Sequence, residues 1–155
     1  MSTDLKAQLK ADLTTSIKAR DELKSATLRM VLTAITNEEV AGKESKVLTD
    51  EDVLTVLARE GKKRRESVLA YTDANRPELA ARENAELEVI SLYLPEQLSD
   101  TEVEAIVAAA VEQISGSGVS GGAAIGAVMK IVQPQVKGRA DGGLVATLVK
   151  QALVN

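Results

Sequence analysis

Histidine, cysteine, phenylalanine and tryptophan are all absent from this 155-residue sequence. Without cysteine there is no disulfide and no thiol chemistry. Without histidine as well, only carboxylates remain as metal ligands, a donor set unsuited to zinc. No metal and no cofactor is expected. The aromatic residues are Tyr71 and Tyr93, so Leu, Val, Ile and Ala must supply nearly all the buried volume. Such a core suits helices that approach one another closely.

Long apolar runs are also missing. No stretch approaches the roughly 20 residues of a membrane span, and the N-terminal "MSTDLKAQLKADL" is charged throughout rather than signal-like. The expectation is a soluble cytoplasmic protein with no membrane association. The net charge of -4 argues against a general polyanion binder, so any nucleic-acid contact needs a local basic patch. What is present is a globular balance, 45% apolar residues against 27% charged.

Apolar spacing near 3.6 recurs in every segment, with no sustained alternation, which predicts an all-α fold. The first helix runs from a Ser2 or Thr3 cap with Leu5, Leu9, Leu13 and Ile17 in one column. The second spans about Asp21 to Val40 and carries Leu28, Val31, Leu32 and Ile35. Thr49 and Asp52 form a capping-box-like start for a third helix reaching about Tyr71. After the break "DANRP", Pro77 fits the first turn of a fourth helix ending near Tyr93. Pro95 then interrupts the chain and Ser99 can cap a fifth helix. Helices are expected at about 100–114, 122–132 and 142–153. A domain boundary at Pro95 gives an N-terminal helical domain, 1–94, and a compact three-helix domain, 95–155.

"GSGVSG", with Gly116, Gly118 and Gly121, matches G-x-G-x-x-G literally. That fingerprint requires a preceding strand, and here a helix precedes it, so an interhelical loop capped by Ser120 is the better reading. There is no G-x-x-x-x-G-K-[ST] motif. Pairs such as Glu38 with Glu39 and Glu102 with Glu104 lie on charged helical surfaces without a nucleophile, and no histidine can activate a serine. No catalytic residue is assigned.

The densest charge run, "REGKKRRES", falls in the third helix. At about 100° per residue Val53, Leu57, Gly61 and Val68 face inward, while Arg59, Lys62 and Lys63 point away. Arg64 falls on the apolar side, and Glu83 and Glu86 share a face of the fourth helix with Leu79, Leu87 and Ile90. Two readings stand: an Arg64 ion pair with Glu83 and Glu86 beside a solvated cationic face, or an RNA-facing ridge.

The stretch "QPQVKGRADGG", Gln133 to Gly143, poses a second choice. From Gly116 onward Lys130, Lys137, Arg139 and Lys150 face a single acid, Asp141. Gly138 suits a left-handed helix C-cap and Asp141 an N-cap. Gly142 and Gly143 leave helix N-terminal amides open to an anion. An ordinary turn between helices and a phosphate-holding loop both fit these residues.

These same residues carry a resemblance. "YLPEQLSDTEV", "IGAVMKIVQPQVKGRADGGLV", "TLRMVLTAITNEE" and "KKRRESVLAY" resemble the GatB/YqeY family, over Leu5 to Leu153. The family comprises small free-standing YqeY-like proteins and the tail domain of the B subunit of aspartyl/glutamyl-tRNA amidotransferase. The resemblance implies a four-helix N-terminal bundle and a three-helix tail. It also implies a link to carbon-nitrogen ligase activity with glutamine as amido-N-donor, without the catalytic parts in this chain. Lys130, Lys137, Gly138, Arg139, Asp141 and Gly142 would form a tRNA-contact surface, with Lys150 adding to the local positive balance. Gln133-Pro134-Gln135 stands where relatives often carry a Pro-Lys pair. The expected partner is tRNA or a tRNA-handling enzyme. The alternative is a protein-interaction bundle docking through Ala108, Ala109 and Ala110 and the first helix's leucine column.

Overall fold

The computed structural model describes residues 4–154, and among them the chain is all-helical: α1 Leu5–Lys18, α2 Glu22–Glu39, α3 Asp50–Asp73, α4 Pro77–Ser91, α5 Asp100–Ser115, α6 Gly121–Val136 and α7 Gly142–Val154. The helices group into two compact units, one ending at Leu94 and one beginning at Pro95.

In the first unit α3 packs along α4 and α1 along α2. The core consists of Leu9, Leu28, Val31, Ile35, Leu48, Val53, Val56, Leu57 and Ile90. Leu9 of the predicted α1 column is fully buried, but Ile17 at its end is 47% exposed. In its place the buried seam between α1 and α2 continues through Ser16 and Ser25, whose hydroxyls bond at 2.8 Å. Paired hydroxyls allow close helix approach without an orphaned polar group.

Local capping explains most boundaries. The expected α1 cap at Ser2 or Thr3 lies outside the described residues, and Asp4 accepts a hydrogen bond from the Lys6 amide at the α1 start. Thr49 and Asp52 satisfy one another's backbone amides in a full capping box. Those bonds from Thr49 hold the Asp52 carboxyl below the usual carboxylate range. Pro77 occupies the first turn of α4. That helix stops at Ser91, short of the expected Tyr93, because Leu92, Tyr93 and Leu94 donate to carbonyls three residues back and tighten the chain ahead of Pro95. The Tyr93 hydroxyl donates to Asp12 at 2.6 Å, and burial, then this bond, pushes its phenol above the usual tyrosine range.

The α1 terminus is built on an unusual residue. The Asp21 amide donates to Ser16 and the Arg20 amide to Ile17, while Arg20 sits at φ 58°. This is the Schellman arrangement, whose left-handed position glycine normally fills. A side chain there destabilises by about 1 kcal/mol or somewhat more. Arg20→Gly is therefore expected to raise unfolding free energy by about 1 kcal/mol, measurable as a shift of the urea midpoint at unchanged m-value.

In the second unit the core is Val103, Val107, Ala110, Val128, Val132, Val136, Val145 and Val149. Valine is a modest helix former, yet its single preferred rotamer loses little freedom on burial, and its short side chain lets three helices meet without aromatics. Ser99 and Glu102 cap α5 reciprocally. α6 continues to Val136, past the expected stop at residue 132, with Pro134 inside it. The missing proline amide frees the Lys130 carbonyl on an exposed face, and Val132 and Val136 anchor the last turn in the core. Ala110 of the proposed alanine docking face is buried, whereas Ala108 and Ala109 are exposed.

Candidate nucleic-acid interface

The turn between α6 and α7 is fixed by its own backbone chemistry. Gly138 takes φ +73°, and the amides of Arg139 and Ala140 return to the Val136 carbonyl. Asp141 accepts from the Leu144 amide through its side chain at 3.3 Å, and its carbonyl accepts from the Val145 amide, the pattern of an N-cap.

The two most specific stretches of the sequence meet here. The Leu98 amide donates to the Arg139 carbonyl at 2.8 Å. Gln97 Nε2 donates to the carbonyls of Gly138 at 2.9 Å and Pro95 at 2.8 Å. The Arg139 guanidinium donates through Nε to the Glu96 carbonyl at 3.1 Å and through Nη1 to the Gln135 carbonyl at 3.3 Å. "LPEQL" and "VKGRAD" thus form one clasp. Arg139, which helix geometry alone does not require, closes the α6 C-terminus, where a cation is favoured by the exposed carbonyls. Nothing in the spacing of the two stretches shows that they touch, since they lie some forty residues apart in sequence.

Lys130, Lys137 and Lys150 are exposed, the first on α6, the second at its C-cap and the third on α7. Gly142 opens α7 and is also exposed. The literal glycine motif links α5 to α6; Gly118 and Gly121 have positive φ, and Ser120 holds the N-cap position without a side-chain cap bond. No strand adjoins it among the described residues.

In the first unit, Arg59 and Lys63 of the basic patch lie against carboxylates. Arg59 donates to Glu38 at 3.0 Å and Lys63 to Glu60 at 3.1 Å, while Lys62 is exposed. Arg64 is buried at 8% exposure, and its Nη1 donates to Glu60. Its Nε lies 3.6 Å from Glu86. Glu83, half-buried, is not its partner; Glu60, one helical turn before Arg64 on the same face, takes that place. The i, i+4 spacing was the available signal for this pair. Among the described residues no group of three or more Asp or Glu is placed to hold a metal ion.

These features define a class: an all-helical protein with a valine-cored helical trio closed by a motif clasp. The chain belongs to the Yqey-like protein family, whose model matches residues 6–153. It is similar to an uncharacterized protein of Schizosaccharomyces pombe, 36% identical over 98 residues, covering 63% of this chain and 77% of the relative. It is also similar to altered inheritance of mitochondria protein 41 of Vanderwaltozyma polyspora, 36% identical over 104 residues, covering 62% of this chain and 55% of the relative. The protein of that name from Lachancea thermotolerans is 31% identical over 121 residues, covering 76% and 63%. This chain thus spans less than two thirds of either mitochondrial relative.

The relatives correct the cytoplasmic expectation, because those two carry the names of mitochondrial proteins. Targeting is read by receptors rather than set by bulk composition, so the charge and hydropathy behind that expectation do not decide a compartment. No helix among the described residues is long and apolar enough to cross a membrane.

Proposed function

We propose that this chain is a tRNA-binding accessory protein, without catalysis of its own, whose residues 95–155 form the binding domain and 1–94 a separate helical domain. One observation carries the reading. Exposed Lys130, Lys137 and Lys150 share α6, its cap and α7 with Asp141 alone among acids. An acidic protein has confined its carboxylates in this unit to Asp141, α5 and the segment before α5, leaving α6 and α7 to meet phosphates. With Tyr71 and Tyr93 as the whole aromatic complement, phosphate contact rather than base stacking supplies the affinity. A tRNA-handling ligase would be assisted by such a module, not replaced by it.

Gel-shift titration with total tRNA across a salt series tests this. Three phosphate contacts removed by Lys130→Glu, Lys137→Glu and Lys150→Glu together should weaken binding at least about tenfold at low salt. The salt slope should flatten by about 2 to 3. Absence of binding at low salt, or binding unchanged in the triple variant, overturns the reading.

A further inference from the structure

A cleft of about 750 Å³ in the N-terminal unit is lined by none of the residues discussed as RNA contacts. The α1–α2 turn contributes Arg20, α2 contributes Glu22, Leu23 and Arg29, and α4 contributes Arg82; exposed Ile17 forms part of the wall. Three arginines therefore line one cleft, with Glu22 as the acid among its lining residues.

Their pairing is what makes the cleft informative. Arg82 reaches Glu86 only at 3.7 Å and is 68% exposed. The Arg20 and Arg29 guanidinium groups make no hydrogen bond or ion pair among the described residues. The chain has 23 carboxylates for 19 cations, and elsewhere in this unit it pairs Lys6, Arg59, Lys63 and Arg64 with them. Like charges gathered in one concavity repel one another and raise the local concentration of anions. Arg20 moreover occupies a left-handed backbone position that favours glycine, so a side chain stands there against the local conformational preference.

We infer that this cleft binds a phosphate monoester carrying an apolar group. The unbonded Arg20 and Arg29, with Arg82 beside them, match a phosphate monoester, which carries about -1.5 to -2 at neutral pH, better than a single carboxylate. Guanidinium forks suit its oxygens bidentately. Ile17 and Leu23 offer an apolar surface beside the charges, and the volume lies within the about 300–1,000 Å³ range of small-molecule sites. The ester is either a free organic phosphate or a lipid headgroup. This inference is independent of the tRNA reading, which concerns α6 and α7.

Calorimetric titration of the full chain with phenyl phosphate, together with NMR of the arginine Nε–H signals, tests it. Saturable binding should shift Arg20 and Arg29 signals and weaken at least about tenfold in Arg20→Gly and in Arg29→Gln. Arg20→Gly is the decisive variant because it should melt higher than the parent, so lost binding cannot be lost folding. In a second arm, flotation with phosphatidylcholine vesicles, with and without phosphatidic acid, separates the sources. Binding confined to phosphatidic acid and lost in both variants assigns the phosphate to a lipid. Neither probe binding, either binding unchanged in the variants, or tRNA being the one ligand the variants lose overturns the inference.

Discussion

Arg64→Ala is expected to destabilise the N-terminal unit by about 3–5 kcal/mol, measured by urea unfolding followed by circular dichroism. Arg64, Glu60 and Glu86 are exposed by only 8%, 6% and 6%, so all three charges have left water. Arg64 lies between the two acids, donating to Glu60 and facing Glu86 at 3.6 Å. Removing it leaves two buried carboxylates beside a void. The remaining cations in reach, Lys63 and Arg82, have side chains 61% and 68% exposed and cannot replace a buried guanidinium. The loss would be a large share of the about 5–15 kcal/mol that holds a domain folded. By contrast the half-exposed Arg59–Glu38 pair should contribute at most about 1 kcal/mol. A companion variant separates the value of the network from the penalty of breaking it. Glu60→Leu, Arg64→Met and Glu86→Leu together remove every buried charge and should recover most of the lost stability. A loss below about 1 kcal/mol for Arg64→Ala would show that the carboxylates remain hydrated, contrary to their burial.

The Arg64 site also marks where sequence was legible and where it was not. That Arg64 faces inward follows from helical phase relative to Val53, Leu57 and Gly61, a property of one helix. Its partner across to α4 required knowing which face of α4 meets α3, and phase left Glu83 and Glu86 equivalent. Packing separates them: Glu86 is buried and Glu83 half-exposed. Helix starts were legible for the same local reason, since Thr49, Pro77 and Ser99 act within one turn of the chain they cap. Ends were less so. Pro134 argues locally for a stop, but Val132 and Val136 are buried in the second unit's core and carry α6 through it.

The arginine-lined cleft was invisible to sequence reading because its arginines come from three elements, at positions 20, 29 and 82, with no shared motif. The α6–α7 turn was the opposite case. Its glycines, acid and cations lie together in sequence, so each cap was readable, but the chain that covers the turn was not. Hydrogen bonds from Gln97 and Leu98 give "LPEQL" a structural role in holding "KGRAD". A motif can therefore be specific because its two halves must fit each other.

Arg139→Ala tests that fit directly and should lower the stability of the C-terminal unit by about 2 kcal/mol. The guanidinium supplies two charge-assisted bonds to backbone carbonyls, one on the segment before α5 and one on the last turn of α6. Arg139 is partly exposed, so water can reach these carbonyls after truncation, and the loss stays below that of a buried charge network. Arg139→Lys should recover little, because an ammonium lacks the planar fork that spans the Glu96 and Gln135 carbonyls. Lys130→Ala is the reference: its side chain is exposed and unbonded among the described residues, and its melting should stay within about 0.5 kcal/mol of the parent. Thermal unfolding and tRNA titration of the same three variants then divide the roles. A clasp residue loses stability in both Arg139 variants, and its RNA affinity follows the folded fraction. A phosphate ligand would do the reverse: tRNA affinity would fall as it does for the lysines while the melting temperature held, and Arg139 would pass from the fold to the interface.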